Sequence, residues 1–245
     1  MIYIGTSGWS YKEWKNKFYP KNTPTKNFLK YYSKTFNTAE VNSSFYHLPK
    51  KQTLEKWKET TNKDFLFSLK ASRFITHIKR LKTKTPWNKF KNTVITLKNN
   101  LGPILFQFPK NFHAKEETKN NIEDFIKYIR KDWRTYKIAF EFRHDSWFNE
   151  QNYKMLRKHN ISLVIADSSQ YPRKNISTAD FAYFRYHGPT TLFSSKYTKN
   201  QLKKEKEIIN KIKKRTKDIF IYFNNDVNAY APQNAQELMD ILKKS

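Results

Sequence analysis

Short runs rich in β-branched and aromatic residues alternate along this chain with longer segments whose apolar positions recur at helical spacing. Eight runs predict strands: Ile2 to Thr6, Thr38 to Phe45, Phe65 to Ala71, Ile104 to Phe108, Lys137 to Phe142, Ser162 to Ala166, Phe181 to Tyr186 and Asp218 to Phe223. The segments between and after them predict helices over Thr25 to Phe36, Thr53 to Thr60, Pro86 to Asn99, Lys115 to Lys131, Gln151 to His159, Thr198 to Lys214 and Gln233 to Lys243. The third helix carries its own punctuation. Thr85 is placed to cap it, Pro86 suits a first helical position because the N–H it lacks would have no partner there, and Gly102 suits the turn that ends it.

Strand and helix alternating eight times within 245 residues predict an α/β fold, a single (β/α)8 barrel of the TIM type, with a doubly wound open sheet as the alternative. Closure is favoured by the count of eight and by the interval between the sixth and seventh strands, where about a dozen residues including Pro172 leave no room for a full helix. That degenerate connection is expected to be a loop or a single turn. No linker or composition break divides the chain, so residues 1–245 are expected to form one domain.

Composition then narrows the chemistry. The absence of Cys removes disulfide scaffolds, zinc ribbons and thiol enzymes. Four Gly, at 5, 8, 102 and 188, cannot supply a glycine-rich dinucleotide loop or a Walker loop. No stretch approaches the roughly 20 apolar residues of a membrane helix, and Met1 leads directly into a strand-like run, so a soluble, cytoplasmic protein without membrane partners is expected. With 48 Lys+Arg against 21 Asp+Glu the net charge is +27. Lys greatly outnumbers Arg, and Asn, Ile, Tyr and Phe are abundant, as AT-rich coding produces. Many Lys, such as Lys203, Lys204, Lys206, Lys211, Lys213 and Lys214, read as solvated helix surface. A surplus of this size nonetheless attracts polyanions, so salt-sensitive association with DNA or RNA is expected whether or not it is the function.

The polar residues gather where such a barrel keeps its functional face, at the carboxyl ends of the strands. In order, the runs end in Thr6 and Ser7, Glu40 and Asn42, Lys70, Gln107, Glu141 and Arg143, Asp167, Arg185 and His187, and Asn224 and Asn225. A period of two puts Glu40 with Asn42, Glu141 with Arg143, and Arg185 with His187 on shared faces. Pointed inward, Glu40, Glu141 and Asp167 would meet Lys70, Arg143 and Arg185, and charges so buried must pair. Either these salt bridges only hold the barrel top together, or the cations hold an anionic group while a carboxylate or His187 handles protons.

The ordered motifs carry a resemblance. GTSGWSYKEW at 5–14 with FYP at 18–20, EVNSSFYHLP at 40–49, FSLKAS at 67–72 with ITH at 75–77, GPILFQFP at 102–109, AFEFRHDSW at 139–147, RYHG at 185–188 and YFNN at 222–225 resemble the YecE-like family, domain of unknown function 72. The resemblance runs from the first strand to the last and implies a (β/α)8 barrel. It implies no activity. At the level of fold alone, it suggests the DNA or sugar chemistry of apurinic-endonuclease and xylose-isomerase barrels. It marks Ser7, Trp9, Tyr11, Trp14, Glu40, Asn42, Tyr46, Lys70, His77, Gln107, Glu141, Arg143, His144, Trp147, Asp167, Arg185, His187, Asn224 and Asn225. This chain departs from the pattern after its last strand, where NNDVNAYAPQNA holds no Gly.

Trp9, Tyr11 and Trp14 either pack under the first loop or roof the barrel and offer flat faces to a base or sugar ring. The six His, at 47, 77, 113, 144, 159 and 187, show no ligand spacing, so neither zinc nor any cofactor is expected. Glu40, Glu141 and Asp167 could share a hard divalent ion, but neighbouring Arg and Lys neutralise the same carboxylates. His113 and His159 read as ordinary positions, and His77 and His187 as the two worth testing. Three functions follow in order. The first is an enzyme, of phosphoester-hydrolase or isomerase type, on a phosphorylated substrate (nucleic acid, nucleotide or sugar phosphate). In it Arg143, Arg185 and Lys70 clamp phosphate, and Glu40, Glu141, Asp167 and His187 are the candidate catalytic groups. The second is a nucleic-acid-binding protein without chemistry, and the third an acid–base enzyme on a neutral sugar-like molecule. Arg185→Ala is expected to weaken ligand binding with little loss of fold.

Overall fold

The computed structural model describes residues 1–244. Its strands are β1 (Ile2–Thr6), β2 (Thr38–Val41), β3 (Leu66–Lys70), β4 (Leu101–Gln107), β5 (Ile138–Glu141), β6 (Ile161–Leu163), β7 (Ile165–Asp167), β8 (Phe181–Tyr186) and β9 (Asp218–Phe223). The fold is α/β with two sheets in which every strand pairing is parallel, one ordered β1-β9-β8-β7 and the other β2-β3-β4-β5-β6. The helices are α1 (Phe28–Tyr32), α2 (Ser43–Tyr46), α3 (Lys51–Thr60), α4 (Thr85–Val94), α5 (Glu116–Asp132), α6 (Glu150–Lys158), α7 (Lys199–Lys213) and α8 (Tyr230–Lys243). Among the described residues no helix is long and apolar enough to cross a membrane.

Alternation along the strands sorts their side chains into two cores. One face, with Ile4, Val41, Phe67, Phe106, Phe140, Ile165, Phe184 and Ile221, packs against apolar stripes of the helices such as Ile122, Phe125 and Ile129 of α5. The opposite face forms a smaller core of Tyr3, Leu105, Ala139, Val164, Ala166, Phe181, Tyr183, Phe220 and Tyr222. That core draws on strands of both sheets, so the two sheets pack against each other through it. Where they meet, the end of β1 reaches β2 through a parallel bridge from Ser7 to Glu40. Gly5 makes the approach possible: a Cβ there would lie 2.1 Å from the carbonyl oxygen of Thr38. Across the interior, the Tyr222 hydroxyl lies 2.7 Å from Thr38 Oγ1 and 2.6 Å from Ser68 Oγ.

Four departures from the sequence expectations matter. The run Thr38 to Phe45 stops being a strand at Val41, because Asn42 takes a helical backbone and opens α2, whose Ser44 hydroxyl donates to the carbonyls of Val41 and Lys70. Thr85 is the first residue of α4 rather than its cap, and the preceding Lys84 makes no side-chain cap bond. Gly102 lies inside β4, not in a helix-ending turn: a Cβ there would sit 3.2 Å from the Phe67 backbone, where the β3–β4 register shifts. The run Ser162 to Ala166 is broken at Val164, so that β6 pairs with β5 and β7 with β8. Residues 168–180, after β7, contain no helix.

Candidate functional site

Above the interior core the strand ends converge on Arg185, which is 1% exposed. It donates to Glu40 through Nη2 at 2.7 Å and Nε at 3.0 Å, and to Glu141 through Nη1 at 2.5 Å. The Ser7 hydroxyl and the Tyr183 hydroxyl complete Glu40, each donating at 2.6 Å. Glu141 accepts further from Gln107 Nε2 at 3.0 Å and Arg143 Nε at 3.1 Å. Burial alone would raise the Glu141 carboxyl, but the Arg185 and Arg143 guanidiniums override it and hold Glu141 well below the usual carboxylate range. This tier is buried and internally paired, and it changes the role expected of Arg185. Its fork is spent on two carboxylates rather than offered to a phosphate, which argues for a cost in stability when Arg185 is removed.

Open valences lie around the rim of that tier. The Nη nitrogens of Arg143 have no hydrogen-bond partner among the described residues, and its guanidinium sits 4.2 Å from the Tyr171 ring centroid. Lys70, at the end of β3, has no carboxylate partner there: its ammonium nitrogen lies over the Phe45 ring, 4.1 Å from the centroid. Burial, followed by the repulsion of Arg185 and Arg143, lowers Lys70 to about 7 despite Glu141 and Glu40. His187 is sealed from solvent. Asn224 Nδ2 donates to its Nδ1 at 3.0 Å, which places the ring proton on Nε2. That Nε2 has no hydrogen-bond partner and stands 3.7 Å from Glu141 Oε1. Burial and Arg185 keep the imidazole pKa lowered, so the ring is neutral at pH 7.

The other expected residues divide. Trp9 and Asn42 line a cavity of about 380 Å³ with Ser7, Tyr11 and Trp57, in which the buried Asn42 Oδ1 has no partner. Trp9 meets Trp57 edge-on at 5.0 Å. His77 is half-buried against Phe45 and pairs its Nδ1 with Thr76 Oγ1 at 2.9 Å; burial and the charge of Lys70 lower it to about 4. Tyr46 stands 65% exposed.

Five positions make their contacts within the fold. Trp14 is fully buried and donates Nε1 to the Asp226 carbonyl, and Trp147 donates to Phe112. His144 stacks on His113 and accepts from the Ser146 backbone. Asn225 ties Ser195 to Asn234. Asp167 does not join Glu40 and Glu141: Arg173 and Tyr197 take its two oxygens, and Arg173 also grips Glu205 of α7. Among the described residues no group of three or more His, Cys, Asp or Glu is placed to hold a metal ion, so the shared divalent site of Glu40, Glu141 and Asp167 is not assembled.

Sequence reasoning missed Asp226. Burial raises its carboxyl to about 7, with the Tyr11 hydrogen bond opposing and Glu40 reinforcing, and its Oδ1 is buried without a partner. Its position immediately after Asn224 and Asn225, at the mouth end of β9, was a usable signal. Tyr183, two residues before Arg185 on the same face of β8, was another.

The model of the family described as "Protein of unknown function DUF72" matches residues 3–245. UPF0759 protein YunF of Bacillus subtilis is 25% identical across 99% of this chain and 95% of its own length. UPF0759 protein YecE of Escherichia coli is 30% identical over 47% of this chain and 40% of its own. A solved DUF72 family protein from Thermotoga maritima superposes with a TM-score of 0.88 at 29% identity, covering 99% of both chains. One from Enterococcus faecalis has a TM-score of 0.85 at 21% identity over 100% of this chain and 96% of that one, a likeness of fold alone.

Proposed function

The chain belongs to the DUF72 family, and we propose that it is a cytoplasmic enzyme acting on a phosphorylated substrate (nucleic acid, nucleotide or sugar phosphate) at the strand ends around Glu141. Uneven pairing of charge carries this reading. Glu40 and Glu141 are consumed by Arg185, whereas Arg143 spends only Nε and Lys70 spends nothing on a carboxylate. The fork of Arg143 left free of any carboxylate suits two phosphate oxygens. Asp226, raised to about 7, is the group available to exchange a proton, and the Nε2–H of neutral His187 is available as a hydrogen-bond donor.

The same reading takes residues 1–245 as one closed (β/α)8 barrel domain. The Ser7–Glu40 bridge at one seam, the handover at Val164 at the other and the interior core shared by both sheets support it. The site then sits where eight strand ends converge.

A thermal-shift panel tests the substrate class. Inorganic phosphate, AMP and glucose 6-phosphate are expected to raise the melting temperature, adenosine and glucose are not, and the gain is expected to vanish in Arg143→Met; a ligand at 100 times its Kd adds about 2.7 kcal/mol. Equal stabilisation by the dephosphorylated compounds refutes the reading. It would favour a neutral, ring-shaped ligand in the cavity walled by Trp9 and Trp57, where Asn42 Oδ1 awaits a donor.

A further inference from the structure

Lys70 is an unusual cation for its surroundings. Arg185 and Arg143 both bond carboxylates within the same tier, yet the Lys70 amine, half-buried at the end of β3, faces the ring of Phe45 and has no carboxylate partner. Charged groups reach it from every side: Arg185 from β8, Glu141 from β5, Arg143 just beyond β5 and Glu40 from β2, with neutral His77 across the Phe45 ring. The ring face by itself favours the ammonium, but an amine half-buried without a carboxylate partner and crowded by guanidiniums is in the setting that strips its proton and frees its lone pair.

We propose that Lys70 is a nucleophile that forms an imine with the carbonyl group of an anionic aldehyde or ketone substrate. The choice of an anionic substrate rests on the phosphate-binding reading above, with Arg143 as the anchor. The Lys70 Nζ lone pair adds to the carbonyl carbon as the carbonyl π pair moves to oxygen; the proton lost from nitrogen and one taken up by oxygen give a neutral carbinolamine. Protonation of its hydroxyl expels water and leaves a protonated imine. In sum, a neutral amine, a carbonyl and one proton from solvent become an iminium ion and water, with no oxidant or reductant. Lys70 already titrates at about 7, so at neutral pH it holds roughly three orders of magnitude more free amine than an ordinary surface lysine.

The test uses the intact chain with pyridoxal 5′-phosphate at limiting concentration, reduction with borohydride and peptide mapping by mass spectrometry. Lys70 is expected to carry at least about tenfold more adduct than any other lysine at pH 7, with an amine titration near 7 and slowing by inorganic phosphate. Lys70→Arg, which keeps the charge, is expected to lose the adduct while retaining the native circular dichroism. Adduct spread over exposed lysines with Lys70 unlabelled overturns the proposal, and if pyridoxal 5′-phosphate still raises the melting temperature the anion site survives without it. Equal labelling of Lys70 by unphosphorylated pyridoxal, insensitive to phosphate, upholds the nucleophile and removes the anchor.

Discussion

Replacing Arg185 by Met tests the tier on which the site is built. The side chain is 1% exposed and makes three charge-assisted bonds to Glu40 and Glu141, themselves 0% and 1% exposed. Met keeps most of the packing and removes the charge, so Glu40 is left without a cation and Glu141 with Arg143 alone. Breaking a buried pair costs about 3–5 kcal/mol, against a total stability of about 5–15 kcal/mol for a folded domain. Urea unfolding, followed by tryptophan fluorescence, is expected to show a midpoint lower by about 1–3 M at pH 8.

The pH dependence carries the sharper signature. In the native protein the Glu141 pKa is depressed, so its contribution is present above the unfolded value of 4.5 and lost as pH falls toward the folded one. In Arg185→Met, burial loses its strongest counterweight and pushes Glu141 upward, so the variant gains relative stability on acidification. The gap between the two proteins should therefore narrow between pH 8 and pH 5. Adding Glu40→Gln and Glu141→Gln to Arg185→Met should recover part of the loss. A single variant as stable as the parent, with a parallel pH profile, refutes the claim that these strand ends are held by this network.

Three further outcomes are expected. The raised pKa of Asp226 means that its contribution is fully present below the unfolded value of 3.8 and is lost as pH rises through about 7; Asp226→Asn should remove that slope and stabilise the protein at pH 8 by a few kcal/mol at most, measured by denaturation across pH. Gly5→Ala should destabilise by about 2 kcal/mol or more, because the new Cβ meets the Thr38 carbonyl oxygen, a backbone atom locked in β2, and calorimetry should register a lowered melting temperature. Binding of random oligonucleotides, driven by a net charge of +27, should weaken steeply with salt and persist in Arg143→Met, separating surface association from the site.

Much of the site was legible because a strand's period of two is geometric. It put Glu141 with Arg143 and Arg185 with His187 on shared faces, and the structure brings all four together. The same rule failed for Glu40 and Asn42, since the strand ends between them: Glu40 turns to Arg185 while Asn42 lines the Trp9 cavity. Asp167 looked like a third carboxylate of the same mouth. Only the path of residues 168–180 revealed that Arg173 returns to neutralise it. Asp226 escaped notice because its unusual acidity comes from burial, which local sequence does not report.

The sequence by itself determined the alternation of strands and helices, the polar strand ends and the positive surplus. These follow from residue types and spacings, which act over a few residues. Tertiary structure alone decided which charges are spent on each other and which remain free. Arg185 is neutralised by carboxylates 145 and 44 positions away, whereas Lys70 meets a phenyl ring. Pairing and desolvation depend on distance in space, and that distance exists only once the sheets and helices have packed together.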